Sequence, residues 1–446
     1  TGYITVAYLL FLWVAGSKVA RGQAAKLQTN TQYEIRNTQH TSHFTHYSLL
    51  ITHYLLRTLP ALLIFLLTGL FLLVYTAVFD SKIDLGGDNA GYYILGKALS
   101  TGAGYTDIHL PEQTPANHFP PGYPALLALF MFVSDAFVFL KLMNGALFLA
   151  TVLLLYKLFE RTVGNTTVAF LAAAFALLNG HLLRSATIMM SEVPFLFFSV
   201  LVLHALVRWE REEKPFWKSP VFWSLVLLSA VSYHLRTAGI ALVGAVGLYL
   251  LFQKRWVPAV AYGAGFLALC LPWYLRGKAL GGNGYLQQLV RVNPYRPEEG
   301  LLDASGWLDR IGANASRYLT QELPNGFFPA YEVSYQEEQL VSYPLLGLLL
   351  LGLTVWGAVR MPKLRTLYAG YLASSAVIFL LWPDVWFGVR FLQPLLPLVG
   401  FAALVGAWDL LQRAAQKSSI GLLAHPAVLA LFLLPAFGKA TTAEDP

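Results

Sequence analysis

Apolar runs close to the roughly 20 residues that a helix needs to cross a bilayer recur from Leu59 to Phe437, separated by short polar turns. Backbone surrounded by lipid must satisfy its own hydrogen bonds, so this pattern restricts the chain to a bundle of membrane-spanning helices. Charge agrees with it. Only 12% of the 446 residues are Asp, Glu, Lys or Arg, about half the share in a soluble protein. The expected fold is an all-α polytopic membrane protein with eleven spans, at 59–79, 136–156, 166–183, 193–208, 220–235, 237–252, 256–275, 343–359, 366–382, 391–411 and 420–437.

Basic residues gather in alternate loops: Lys157 and Arg161, then Arg208 to Lys218, Lys254 and Arg255, Arg360 to Arg365, and Arg413 with Lys417. Such loops face the cytoplasm. This alternation requires one crossing between Pro121 and Lys157, so the short apolar stretch 122–133 is read as an interfacial helix of the first large loop. The formal net charge of +7 is then a topology signal, and nucleic acid is not expected as a partner. The one cysteine, Cys270, excludes an intramolecular disulfide, and it gives no support to a thiol metal site or redox pair.

Four regions follow. Residues 1–58 form a polar segment expected to be poorly ordered; its His40, His43, His46 and His53 lack a rigid frame for metal binding. Residues 59–275 form a transmembrane module whose first extracytoplasmic loop covers 80–135. Residues 276–342 form an extracytoplasmic cap, too long for a simple connection, and 343–446 hold the last helices.

The polar residues of interest fall on the extracytoplasmic side. Asp88 follows Gly86 and Gly87 and opens a segment with Tyr92, Leu95 and Leu99 at helical spacing. It is either a helix cap, worth about 1 kcal/mol, or a carboxylate that serves as a base or binds a cation. Glu192 stands directly before a span on the same side, and two acids from separate loops suit proton abstraction. Asp84, Asp107 and Glu112 are read as surface or capping residues. His118, Arg184, His234, Arg236, Arg276 and Arg390 supply basic groups there. Singly, an arginine snorkels to headgroups; several aimed at one pocket would clamp a phosphate. No Gly-rich phosphate loop, HExxH, CxxC pair or GxSxG elbow occurs, so nucleotide hydrolysis, zinc proteolysis and serine hydrolysis have no handle. Asn165 and Asn314 each open an Asn-X-Ser/Thr pattern.

The ordered set GGDNAGYYILGKAL, HFPPGYPALLAL, SEVPFLF, RTAGIAL and RFLQPLLPLVG resembles the GT-C class of integral-membrane glycosyltransferases, in the branch holding protein O-mannosyltransferases and lipid A aminoarabinose transferases. The likeness covers about 59–411. It implies the GT-C fold and a sugar donor on a polyprenyl phosphate. It also implies transfer with inversion to a hydroxyl of a glycan, lipid or protein, on the outer face of the plasma (inner) membrane. Asp88 matches the acid that acts as catalytic base, and Glu192 the acid of the second loop. Substrate contacts are expected from Asn89, Tyr92, Lys97, His118, His234, Arg236 and Arg390, the last two on the phosphate. Asn89 stands where relatives often carry a second acid, which argues against a metal site and leaves a divalent cation as an open cofactor. Two other readings are a transporter or flippase of lipid-linked sugars and a non-catalytic subunit of envelope polysaccharide assembly.

Overall fold

The computed structural model describes residues 42–82, 87–282, 284–328 and 342–417. The expected span at 420–437, the acid Asp84 and most of the amino-terminal polar segment lie outside the described residues, as does 329–341 of the cap. Helices account for every regular element; two isolated bridges, Thr106 to Pro115 and Arg291 to Leu301, are the only β pairings among the described residues.

In chain order the helices are α1 (Ser42–Val78), α2 (Asp88–Ser100), α3 (Gly122–Met131), α4 (Phe137–Val163), α5 (Thr166–Leu178) and α6 (Gly180–Ala186). Next come α7 (Glu192–Trp209), α8 (Pro220–Leu235), α9 (Ile240–Phe252), α10 (Trp256–Ala279), α11 (Gly284–Leu289) and α12 (Ala304–Arg317). The last are α13 (Leu323–Phe327), α14 (Pro344–Arg360), α15 (Arg365–Leu381), α16 (Val389–Leu392) and α17 (Leu396–Lys417). Five described helices are long and apolar enough to span alone, and α5 with α6 forms a sixth crossing bent by 59°. The sequence reading of eleven full spans is therefore not met. The helices α8, α9, α14 and α15 fall where spans were expected but hold 16, 13, 17 and 17 residues. At 1.5 Å per residue, each is about 20–26 Å long, short of the roughly 30 Å hydrocarbon core.

Local chemistry explains the breaks. Asn165 caps α5, its Oδ1 accepting the Thr167 and Val168 amides at 3.1 Å. At the bend, Asn179 accepts from the Leu182 amide at 3.2 Å and donates to the Gly326 carbonyl at 2.7 Å. A broken span needs such side-chain partners, because lipid offers none. Both Asn-X-Ser/Thr patterns are thus structural: Asn165 caps, and buried Asn314 donates to the carbonyls of Leu380 and Trp382 at 3.1 and 2.8 Å.

Small residues let the carboxy-terminal helices touch backbone to backbone, as membrane helices favour. A Cβ placed on Gly357 of α14 would lie 1.8 Å from the Ala402 carbonyl oxygen of α17, and one on Gly406 would lie 2.2 Å from that of Leu353. Phe159 and Phe401 stack with ring centres 4.0 Å apart, joining α4 to α17. The alternation of helix directions puts the starts of α2, α7 and α17 and the end of α8 at one end of the bundle, with the Lys157, Arg208 and Arg413 ends opposite.

The first loop is a compact layer over the former end. Gly96 lets α2 lie on α3, where a Cβ would already meet Leu127 at 3.0 Å. Gly122 sits so near the backbone of His234 that an added Cβ would be 2.5 Å from its carbonyl carbon. Arg276 of α10 pins the rest, donating to Ala116 and Tyr105 carbonyls at 2.9 and 3.1 Å. It is a strap for the loop and not part of a phosphate clamp.

Candidate active site

Asp88 begins α2 after Gly87, whose φ of +74° is a left-handed turn suited to glycine. Its carboxylate makes no capping hydrogen bond to the helix, which removes the capping explanation. Instead Oδ2 receives the Arg390 Nη2 at 2.5 Å. The same guanidinium gives its Nε to Glu192 Oε1, also at 2.5 Å. Glu192 Oε1 receives a second arginine, Arg236 Nη1, at 2.7 Å. Two acids and two arginines from four chain segments thus form one chain of contacts, Asp88 to Arg390 to Glu192 to Arg236.

Burial grades along that chain. Glu192 is 1% exposed and Arg236 14%, while Arg390 and Asp88 are 25% and 37% exposed at their side chains. Glu192 is therefore the interior acid that holds both arginines, and Asp88 is the acid that opens outward. Ser191 extends the network: its Oγ accepts from Arg236 Nη1 at 3.0 Å and lies 3.3 Å from the Tyr92 hydroxyl. Burial pushes the Tyr92 phenol up from its ordinary range, so that hydroxyl stays protonated.

Asp88, Arg236 and Arg390 face a cavity of about 460 Å³, which His118 and Tyr92 also line. One wall is apolar, from Ala241 of α9 and Tyr371, Ile378 and Phe379 of α15. The other carries Trp382, Trp386 and Tyr295. A charged end, a greasy wall and an aromatic wall meet in one space.

This architecture has known counterparts. Residues 127–278 match the family model of dolichyl-phosphate-mannose-protein mannosyltransferases. ArnT from Cupriavidus metallidurans bound to undecaprenyl phosphate superposes with a TM-score of 0.51 at 16% identity, over 82% of this chain and 63% of that one. The Archaeoglobus fulgidus oligosaccharyltransferase tethered to an acceptor peptide containing the NVT sequon gives 0.53 at 14% identity, over 88% and 56%. The chain has the GT-C fold. It is a multi-pass membrane protein of that class, and it spans less than two thirds of the length of either structure. No curated protein matches it by sequence.

Within the GT-C fold, four sequence-named residues besides Asp88 border the cavity: Tyr92, His118, Arg236 and Arg390. Glu192 lies behind them, so the structure gives it a positioning place and not one in contact with substrate. Three others turn away. Lys97 pairs with Asp135 at 2.5 Å, tying α2 to the turn before α4, and this contact holds the Asp135 carboxyl below its usual range. Asn89 is buried, with its Oδ1 accepting the Ala90 amide at 2.9 Å. His234 packs at the end of α8 against Tyr233 and does not line the cavity. The helix turn explains it: Arg236, two residues on in extended backbone, takes the cavity side.

The donor set does not suit a divalent cation. Among the described residues no three His, Cys, Asp or Glu side chains converge, and both acids of the cluster already face guanidinium groups.

Sequence reasoning missed a second buried acid. Glu322 is fully buried; its Oε1 accepts from Arg317 Nε at 3.0 Å and from the Gly388 amide at 3.0 Å. Burial outweighs the arginine and pushes the Glu322 carboxyl up. Gly388 has φ +116°, and two residues later comes Arg390. Glu322 thus anchors the turn that aims the central arginine. It was one acid among several in the cap, with no pattern to mark it.

Proposed function

We propose that this protein moves a sugar from a polyprenyl phosphate to an acceptor hydroxyl at the extracytoplasmic face of the plasma membrane. The observation that carries the reading is the Asp88–Arg390–Glu192–Arg236 cluster opening onto a cavity with one apolar wall. The fold relationship supports it, since the related ArnT was captured with undecaprenyl phosphate. Loop charge supports the outer face, because the cluster lies at the end of the bundle opposite the basic loops.

The chemistry is a single displacement. The acceptor oxygen attacks the anomeric carbon as its proton passes to the Asp88 carboxylate. The bond from that carbon to the phosphate oxygen breaks, and its electron pair leaves with the polyprenyl phosphate. Attack opposite the leaving group inverts the anomeric centre. The departing phosphate gains negative charge, and Arg236 and Arg390 are placed to stabilise it. Bidentate guanidinium geometry suits phosphate. Glu192 keeps both arginines in place between turnovers and balances their charge. The lipid tail lies along Ala241, Tyr371 and Ile378, where it needs no hydrogen-bond donors.

Mass spectrometry of lipids extracted from the purified wild-type protein tests this. The expected result is a polyprenyl phosphate, bare or bearing a sugar, with at least tenfold less in an Arg236→Gln, Arg390→Gln double variant that elutes as folded protein. Only bulk phospholipid in the wild type would sink the proposal.

A further inference from the structure

The transfer step uses the charged end of the cavity and its apolar wall, and leaves the aromatic wall without a task. Trp382 and Trp386 have ring centres 5.5 Å apart at 51°, and Tyr295 meets Trp386 at 6.1 Å and 77°. Phe391, next to Arg390, meets Trp382 at 6.1 Å. The Trp382 Nε1 is buried and has no hydrogen-bond partner. An indole N–H can only donate, and a buried donor left unpaired costs about 1–3 kcal/mol. A bound molecule with an acceptor oxygen would remove that cost.

The wall is held rigidly from both ends. Asn314 fixes the Trp382 carbonyl at 2.8 Å, Glu322 fixes the Gly388 amide at 3.0 Å, and the Arg317 guanidinium lies over the Phe387 ring at 3.5 Å. Platforms of this kind bind by being organised beforehand. The ligand is constrained by what the wall offers: π faces, one indole donor and the Gln288 amide, which also borders the cavity. A lipid tail would leave the donor unpaired. A peptide would bring backbone N–H groups of its own to a wall poor in acceptors. A pyranose presents a C–H face that fits the negative face of an indole, with hydroxyl and ring oxygens at its edge.

We infer that Trp382, Trp386 and Tyr295 form a carbohydrate subsite, in which a sugar ring stacks on the indoles and an oxygen of that sugar accepts the Trp382 N–H. The inference rests on the transfer reading for the nature of its substrates. The sugar is either the one on the donor lipid or one belonging to a glycan acceptor, and both present the same chemistry.

Affinities of the detergent-purified full chain are measured for three probes: undecaprenyl phosphate, mannosyl-phosphoundecaprenol and mannotriose. The variants are Trp382→Phe, which keeps a ring and removes the donor, and Trp386→Ala. A roughly tenfold loss for the mannosyl lipid, with the bare lipid unchanged, assigns the wall to the donor sugar; tenfold is about 1.4 kcal/mol, in the range of one hydrogen bond. A similar loss for mannotriose alone assigns it to a glycan acceptor. Variants that bind all three probes as the wild type does overturn the subsite. Failure of the wild type to bind either lipid contradicts the donor proposal instead, and mannotriose then decides the subsite alone: no binding, or binding that the variants leave unchanged, overturns it.

Discussion

Asp88→Asn is expected to lower sugar transfer about a thousandfold while the protein stays folded. A positioned general base contributes roughly 10²–10⁴ to rate, and the amide cannot take the acceptor proton. The substitution is nearly isosteric, and its oxygen still accepts from Arg390. Asp88 is also the most exposed member of the cluster, at 37%, so little burial energy is at stake. Labelled transfer from a polyprenyl-phosphate sugar measures kcat, and the size-exclusion profile and lipid retention check integrity. A kcat within tenfold of wild type would remove Asp88 from the role of base.

Glu192→Ala should act on stability first. Glu192 is the shared acceptor of Arg236 and Arg390, and removing one partner of a buried ion pair costs about 3–5 kcal/mol, because the charge left behind stays desolvated. Here Arg390 is 25% exposed at its side chain, so water offsets part of that, and the low end of the range is expected. Thermal unfolding in detergent should show a drop of several degrees, together with loss of activity. Glu192→Gln separates the two effects: it keeps an acceptor oxygen and recovers most of the stability, yet leaves the arginines with one excess positive charge. It should therefore bind bare polyprenyl phosphate more tightly and release it more slowly. Unchanged stability in Glu192→Ala would mean that the arginines do not depend on this acid.

How much of this was legible in the sequence depends on the scale of the signal. Span positions were readable because lipid enforces apolar runs, and α8 at Pro220–Leu235 has the expected limits. The number of full spans was not, since helices such as α9, sheltered by neighbours, can be too short to cross alone. The interfacial character expected for 122–133 fits the ten-residue helix α3. Asp88, Glu192, Arg236 and Arg390 stood out as charges at span edges. Their order of contact did not, because it depends on which of Glu192's neighbours reach inward. Lys97 and His234 were misplaced for a simpler reason: one helical turn separates a cavity-facing residue from its opposite, and the sequence pattern is ambiguous at helix ends. Glu322 and the Trp382–Trp386 wall were invisible because their importance comes from contacts across the fold, to Gly388 and Asn314.

The central claim is that the sugar leaves a lipid phosphate. A single-turnover experiment tests it most directly, with the purified full chain given either a polyprenyl phosphate or a nucleotide carrying the same radiolabelled sugar, together with a membrane extract as acceptor source. The account predicts that label moves to acceptor from the lipid donor alone, with unlabelled polyprenyl phosphate appearing in equal amount, and that Asp88→Asn stops both. Label moving only from the nucleotide, or lipid-linked sugar that stays intact over many hours, would contradict it.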